Sequence, residues 1–182
     1  MSARVWAMSV EQRQDLIKAA FEGDLEISSG LISSSANVAK KNAYSPYSKF
    51  AVGAALLAAD GTIYKGVNVE NASYGGTICA ERTAIVKAVS EGTTSFIALA
   101  VTTDVPAAIS PCGMCRQVIR EFCAQDMPIL LVPGDYPKPP GDESEGKPGV
   151  TEGGVKETSI AELLPDSFGP EHLELPRTGG RT

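Results

Sequence analysis

The sequence predicts an α/β fold, a three-layer α/β/α sandwich on a mixed five-stranded sheet, and three observations predict it. "FAVGAALLAADGTIYKGVNVE" reads as two strands joined by Asp60-Gly61, the strongest short-range signal for a hairpin. Beyond the hairpin the pattern runs helix, strand, helix, strand. Two of those segments, "SFIALAVTT" and "PILLV", are nearly continuous apolar runs, as strands buried on both faces require. The chain of 182 residues is long enough to bury one core without staples, so residues 1–182 are expected to form a single domain.

Taken in order, "SVEQRQDLIKAAFE" (9–22) carries helical periodicity with acidic residues early, and Gly23-Asp24 ends it. A second helical stretch is expected from about Leu25 to Ala43. In the hairpin, Gly53 and Gly66 inside strands point to close packing or a bulge. After "NASYGG" a helix is expected over Ile78 to Glu91, with Ile78, Ile85 and Val89 on one face and Gly92 ending it. Ser110-Pro111 looks like a helix start, serine capping and proline in the first turn, with Met114, Val118 and Phe122 as the apolar row. Residues 133–156 hold eleven prolines and glycines, too many for a helix or central strand, and read as an exposed, mobile insertion. A strand near Val155 to Thr158, a helix over Ser159 to Leu164 and a flexible tail at 171–182 complete the expectation.

Composition removes several function classes. With 43% hydrophobic and 21% charged residues, and no apolar run near the roughly 20 residues of a membrane span, the chain reads as soluble. "MSARVWAMSVEQRQ" lacks the apolar core of a secretory signal, so a cytoplasmic location is expected. A net charge of −6 without a dense Lys/Arg tract opposes a nucleic-acid polymer as partner. In such a compartment, four cysteines suggest metal or catalysis before disulfides. The single histidine, His172, excludes multi-histidine zinc sites.

The chemistry centres on "TICAERTAI" and "SPCGMC". Cys112 and Cys115, three apart in the first turns of a helix, share a face and can bind one cation. Free N–H groups at a helix mouth favour thiolate there. Cys79, at another helix mouth, supplies a third ligand, and three protein ligands to zinc leave the fourth position open, the pattern of a catalytic site. Glu81 then serves as the base beside the metal rather than as a ligand. Three thiolates leave a formally negative site that needs a nearby cation; Arg82 and Arg116 are the candidates, with Arg82 preferred. A lone C-x-x-C is also compatible with half of a structural zinc knot or with a redox pair. Cys123, about 12 Å along the helix from Cys115, is too far to join and reads as a small buried hydrophobe. His172 could close a Cys₃His site, although its Pro/Gly-flanked tail favours a solvated residue.

"CAE" followed by "PCGMC" meets the zinc-deaminase pattern of Cys-x-Glu paired with Pro-Cys-x-x-Cys. With "SPYSKFAVGAAL", "NVENASYGGTICAERTAI", "SPCGMCRQV" and "ELLPDSFGP", the chain resembles the small cytidine deaminase family over roughly Ala36 to Pro170, the insertion excepted. The resemblance implies zinc on Cys79, Cys112 and Cys115, with Glu81 as proton shuttle. It further implies that Asn68 and Glu70 hydrogen-bond the ribose, that Phe50 lies beside the pyrimidine ring and that the backbone around Ala80 contacts the base. It implies a homotetramer with shared sites, in which Phe168 reaches a neighbour's pocket and Tyr74 lies at the subunit boundary. The implied reaction removes ammonia from C4 of cytidine or deoxycytidine in pyrimidine salvage. From the residues alone, Asn68 and Glu70 would be solvated strand termini and Phe50 and Phe168 core anchors. Deamination of a nucleoside antibiotic such as blasticidin S, or a noncatalytic zinc-stabilised binding module, are the competing readings.

Overall fold

Strict alternation along three central strands divides the interior into two cores. In the computed structural model, which describes residues 8–21 and 42–177, these strands are β1 (Val52–Ala58), β3 (Phe96–Thr103) and β4 (Ile129–Val132). Ala54, Leu56, Leu99, Val101, Ile129 and Leu131 face one side; Ala55, Leu57, Ala98, Ala100, Leu130 and Val132 face the other. A period of two places successive side chains on opposite faces, and here both faces are dry. The edge strands β2 (Ile63–Val67) and β5 (Lys156–Thr158) complete a five-stranded sheet of order β2-β1-β3-β4-β5. β3 and β4 pair in parallel and all other neighbours antiparallel. The mixed α/β architecture expected from the sequence is therefore present.

Helices cover both faces. α1 (Val10–Phe21) buries Leu16, Ile17, Ala20 and Phe21 on one side. Its start is a reciprocal cap: Gln12 N donates to Ser9 Oγ (3.1 Å) and Ser9 N to Gln12 Oε1 (2.9 Å). α2 (Ala80–Ser90) and α3 (Gly113–Phe122) lie on the opposite face, where Ala80, Ala84, Ile85, Ala88 and Ile119 enter the core. The two strand glycines explain how close the layers come. A Cβ on Gly53 would stand 2.2 Å from Ala20 O, and one on Gly66 2.3 Å from Ala80 O. Close packing, one of the two expectations for these glycines, is the role both perform.

Topology decides where chemistry can occur. β2 and β3 both run antiparallel to β1, hence parallel to each other, and α2 connects them; α3 likewise connects the parallel pair β3 and β4. Both helices therefore begin beyond the C-terminal ends of their strands, at one edge of the sheet, where open α/β sheets place their ligands.

Several expectations need correction. α3 starts two residues later than Ser110-Pro111 suggests, because Cys112 is its N-cap in extended conformation. The Ser110 and Pro111 oxygens are instead held by the Arg116 guanidinium, at 2.9 and 2.8 Å. Met114 is 63% exposed, since the buried face of α3 runs through Cys115, Ile119 and Arg120. Ile78 precedes α2 and bridges Val69 instead of joining a helical face. The helix expected over 25–43 lies almost wholly outside the described residues.

Residues 133–156 are a succession of turns lying back on the domain. Tyr136 stacks on Phe21 with ring centroids 6.2 Å apart, and Lys138 sits between Asp135 and Asp142 at 3.3 and 3.6 Å. Val150 bridges Lys156, and Glu157 N donates to Gly149 O (2.8 Å), so this segment runs along the outer side of β5. A last short helix, α4 (Ile160–Leu163), follows β5. The expected tail opens with a 3₁₀ turn, Pro170–Leu173. Among the described residues no helix is long and apolar enough to cross a membrane.

Candidate metal centre

Cys79 and Cys112 are the N-caps of α2 and α3, both extended, and neither thiol caps its own helix. Cys115, one turn into α3, is fully buried. The sulfurs of Cys79 and Cys112 are 3.9 Å apart, those of Cys112 and Cys115 3.5 Å, and all three lie within 4.8 Å of one another. Thiolates at about 2.3 Å from a tetrahedral zinc would be separated by about 3.8 Å, so the observed triangle has the size the ion needs. Two helix N-termini converge there and favour negative charge. The Cys79 thiol is pushed down to about 5, chiefly by its hydrogen bond with Cys115 and then by Arg82 and Cys112; the same bond pushes Cys115 up.

Glu81, in the first turn of α2, is only 4% exposed. Burial pushes its carboxyl above the usual range, and the neighbouring Cys79 charge adds to the effect. Arg82 donates from Nη2 to Thr77 O (2.9 Å) and stands 3.7 Å from Cys79 Sγ. Arg116, the other candidate cation, is committed to Pro111 O, Ser110 Oγ and Leu163 O (2.7 Å) and braces the loop before α3. Cys123 lies in the apolar core, where burial pushes its thiol up to about 12. Among the described residues the metal-sized cluster comprises Cys79, Cys112 and Cys115; His172 Nδ1 is engaged instead with Gly169 N at 3.1 Å.

The residues expected to meet substrate divide into two groups. Val69, between Asn68 and Glu70, pairs with Ile78 through bonds of 2.9 and 3.0 Å, which fixes this strand end beside the residue preceding Cys79. Asn68 is 7% exposed; its Oδ1 accepts from Val52 N and its Nδ2 donates to Phe50 O, both at 2.8 Å. Glu70 accepts from Tyr47 N (2.9 Å), Ser48 N (3.2 Å) and the Ser48 hydroxyl, and the last of these holds its carboxyl below the usual range. Ala80 is buried, its carbonyl against Gly66. Phe50, Asn68 and Glu70 are thus tied through Ser48 into one hydrogen-bonded patch at this strand end, and Ala80 follows Cys79 at the start of α2. Tyr74 and Phe168, by contrast, stand at the surface, 75% and 55% exposed, their rings against Tyr47 (5.8 Å) and His172 (5.5 Å).

This arrangement has relatives. Residues 29–131 match the family model described as the cytidine and deoxycytidylate deaminase zinc-binding region. The chain belongs to this family. A curated cytidine deaminase of Sporosarcina psychrophila is 51% identical over 135 residues, which cover 74% of this chain and 87% of that protein. One of Halalkalibacterium halodurans is 44% identical, with 74% and 89% covered. The crystal structure of cytidine deaminase from Burkholderia pseudomallei superposes with a TM-score of 0.63 at 37% identity, over 88% of this chain and all of that one.

Within this deaminase-family site, sequence reasoning missed the braces. Ser48 and the Tyr47 amide hold Glu70, Thr77 O receives Arg82, and Asp104 Oδ2 accepts from Ala51 N (3.1 Å) beside Phe50. The signal for the first was the "SPYS" turn, whose polar side chains and free N–H groups need an acceptor. Nothing in the local sequence announces the other two.

Proposed function

We propose that this protein catalyses the zinc-dependent hydrolytic deamination of cytidine and deoxycytidine to uridine and deoxyuridine, acting in the cytoplasm in pyrimidine salvage. The observation that carries the reading is a buried carboxyl, Glu81, beside a zinc-sized triangle of Cys79, Cys112 and Cys115. Those thiolates would hold the ion, which when bound supplies the Lewis acidity that makes water nucleophilic near neutral pH. Glu81 takes the proton the nucleophile sheds and delivers it to ring N3 as C4 is attacked. It then takes the proton of the hydroxyl now on C4 and passes it to the amine as the C4–N bond breaks and the C4 carbonyl forms, so that water and cytidine become uridine and ammonia.

The remaining hydrogen-bonding capacity of Asn68 and Glu70 suits a ribose hydroxyl. One N–H of the Asn68 amide is left after its bond to Phe50 O, and the Glu70 carboxylate retains lone-pair capacity after accepting from the 47–48 turn. A hydroxyl both accepts and donates, which this pair complements. Phe50 flanks the ring and the backbone around Ala80 contacts the base. The exposed rings of Tyr74 and Phe168 support a homotetramer with shared sites, Tyr74 at the boundary and Phe168 entering a neighbour's pocket.

The deciding experiment incubates zinc-loaded protein with cytidine, deoxycytidine and blasticidin S while following ultraviolet absorbance and ammonia. Loss of the cytidine and deoxycytidine bands is expected; zinc present with no turnover would overturn the reading in favour of a binding module. For Arg82, whose guanidinium offsets the thiolate charge at Cys79, Arg82→Gln is expected to retain zinc and lower kcat about tenfold or more. Unchanged kcat would remove Arg82 from the site's electrostatics.

A further inference from the structure

One face of α3 presents three polar side chains to the segment that carries Phe168. Arg116 donates to Leu163 O (2.7 Å), Gln117 Nε2 to Phe168 O (3.0 Å) and Arg120 Nε to Ser167 Oγ (3.1 Å). The second terminal nitrogen of Arg120 pairs with Glu171. Arg120 is 5% exposed, and a guanidinium so deeply buried is tolerated only with a charge partner and satisfied donors. The backbone accommodates it closely: a Cβ on Gly169 would lie 2.3 Å from the guanidinium carbon and 2.4 Å from both terminal nitrogens. Ser167, Gly169 and Glu171 therefore fold around one cation, and Phe168, between them, is left with its ring outward at 55% exposure.

An aromatic ring that is both exposed and tightly anchored through its flanks is arranged to be presented. We infer that Arg120, with Glu171 as its counterion and Gly169 as its seat, is a positioning residue that sets the pose in which Phe168 enters the neighbouring subunit's substrate pocket; this rests on the reading of Phe168 given above. The helix that supplies Cys112 and Cys115 to the metal centre thereby also aims a wall of an adjoining site. Arg120 itself touches no substrate.

Arg120 is too buried for its replacement to be informative, so the test uses its partners, with Phe168→Ala as reference. Glu171→Gln keeps the shape and removes the counter-charge; Gly169→Ala displaces the guanidinium. Both are expected to raise KM for cytidine about five- to tenfold, in the direction of Phe168→Ala, with kcat within about twofold and zinc content unchanged. If Phe168→Ala raises KM but neither flanking variant does, the positioning role is overturned while the substrate role of Phe168 stands. An unaltered KM in Phe168→Ala overturns that reading and this inference together. Parallel loss of zinc or of kcat in both flanking variants would show a general scaffold contact and overturn the inference.

Discussion

Glu81→Gln is expected to retain zinc, bind cytidine and lose nearly all turnover. Glutamine preserves the size and both polar atoms of the side chain, so the buried site at the start of α2 need not rearrange. It cannot accept a proton from the nucleophile or return one to the amine, and the proposed reaction asks the same group to do both. Positioned general acid–base catalysis contributes on the order of 10²–10⁴ per transfer, so a fall in kcat of at least that size is expected. Stopped absorbance assays with metal content measured on the same sample check it. Turnover within tenfold of the parent protein would move the proton transfers to another residue.

Removing the metal should be nearly as damaging and should also cost stability. Three thiols drawn together at two helix mouths are poorly placed without a cation, and binding to the folded state alone stabilises by about 3–4 kcal/mol at 100–1,000 times Kd. For a chain of this length about 1 kcal/mol shifts Tm by about 2–4 °C, so chelation is expected to lower Tm on the order of 10 °C. Zn²⁺ should restore both Tm and activity. Mg²⁺ and Ca²⁺ should restore neither, because hard cations require oxygen ligands. Scanning fluorimetry with metal analysis reads the outcome. Full activity in metal-free protein would dismantle the assignment of the thiols.

The metal centre was legible in the sequence because its signals are local. Cys112 and Cys115 are one helical turn apart, and Cys79 and Glu81 straddle a helix start, so spacing alone orients them. The central strands were legible because burial on both faces leaves runs such as "ILLV". What spacing could not show is where long polar side chains end. Arg116 and Arg120 look alike in "RQVIREF", yet each reaches 47 residues along the chain, to Leu163 and Ser167 respectively. The start of α3 departs from the expectation for a related reason: Ser110-Pro111 has good cap chemistry, but the serine hydroxyl is taken by Arg116, and the N-cap position falls to Cys112, whose thiol makes no capping bond. Asn68 resembled a solvated strand terminus, and only the fold shows its amide locked between the Phe50 and Val52 backbones.

The turns of 149–151 that run beside β5 bear on the protein's behaviour at high concentration. A bare outer strand exposes unpaired amides and carbonyls onto which a foreign strand can zip, the first move toward aggregates. Here β5 has only three residues, two of them charged, and its outward Glu157 N–H is already occupied by Gly149 O. Gly149 and Gly153, both at positive φ, curl the covering backbone so that it offers no straight ledge of its own. At this margin the proline- and glycine-rich stretch acts as a selvedge, finishing the sheet so that it does not grow.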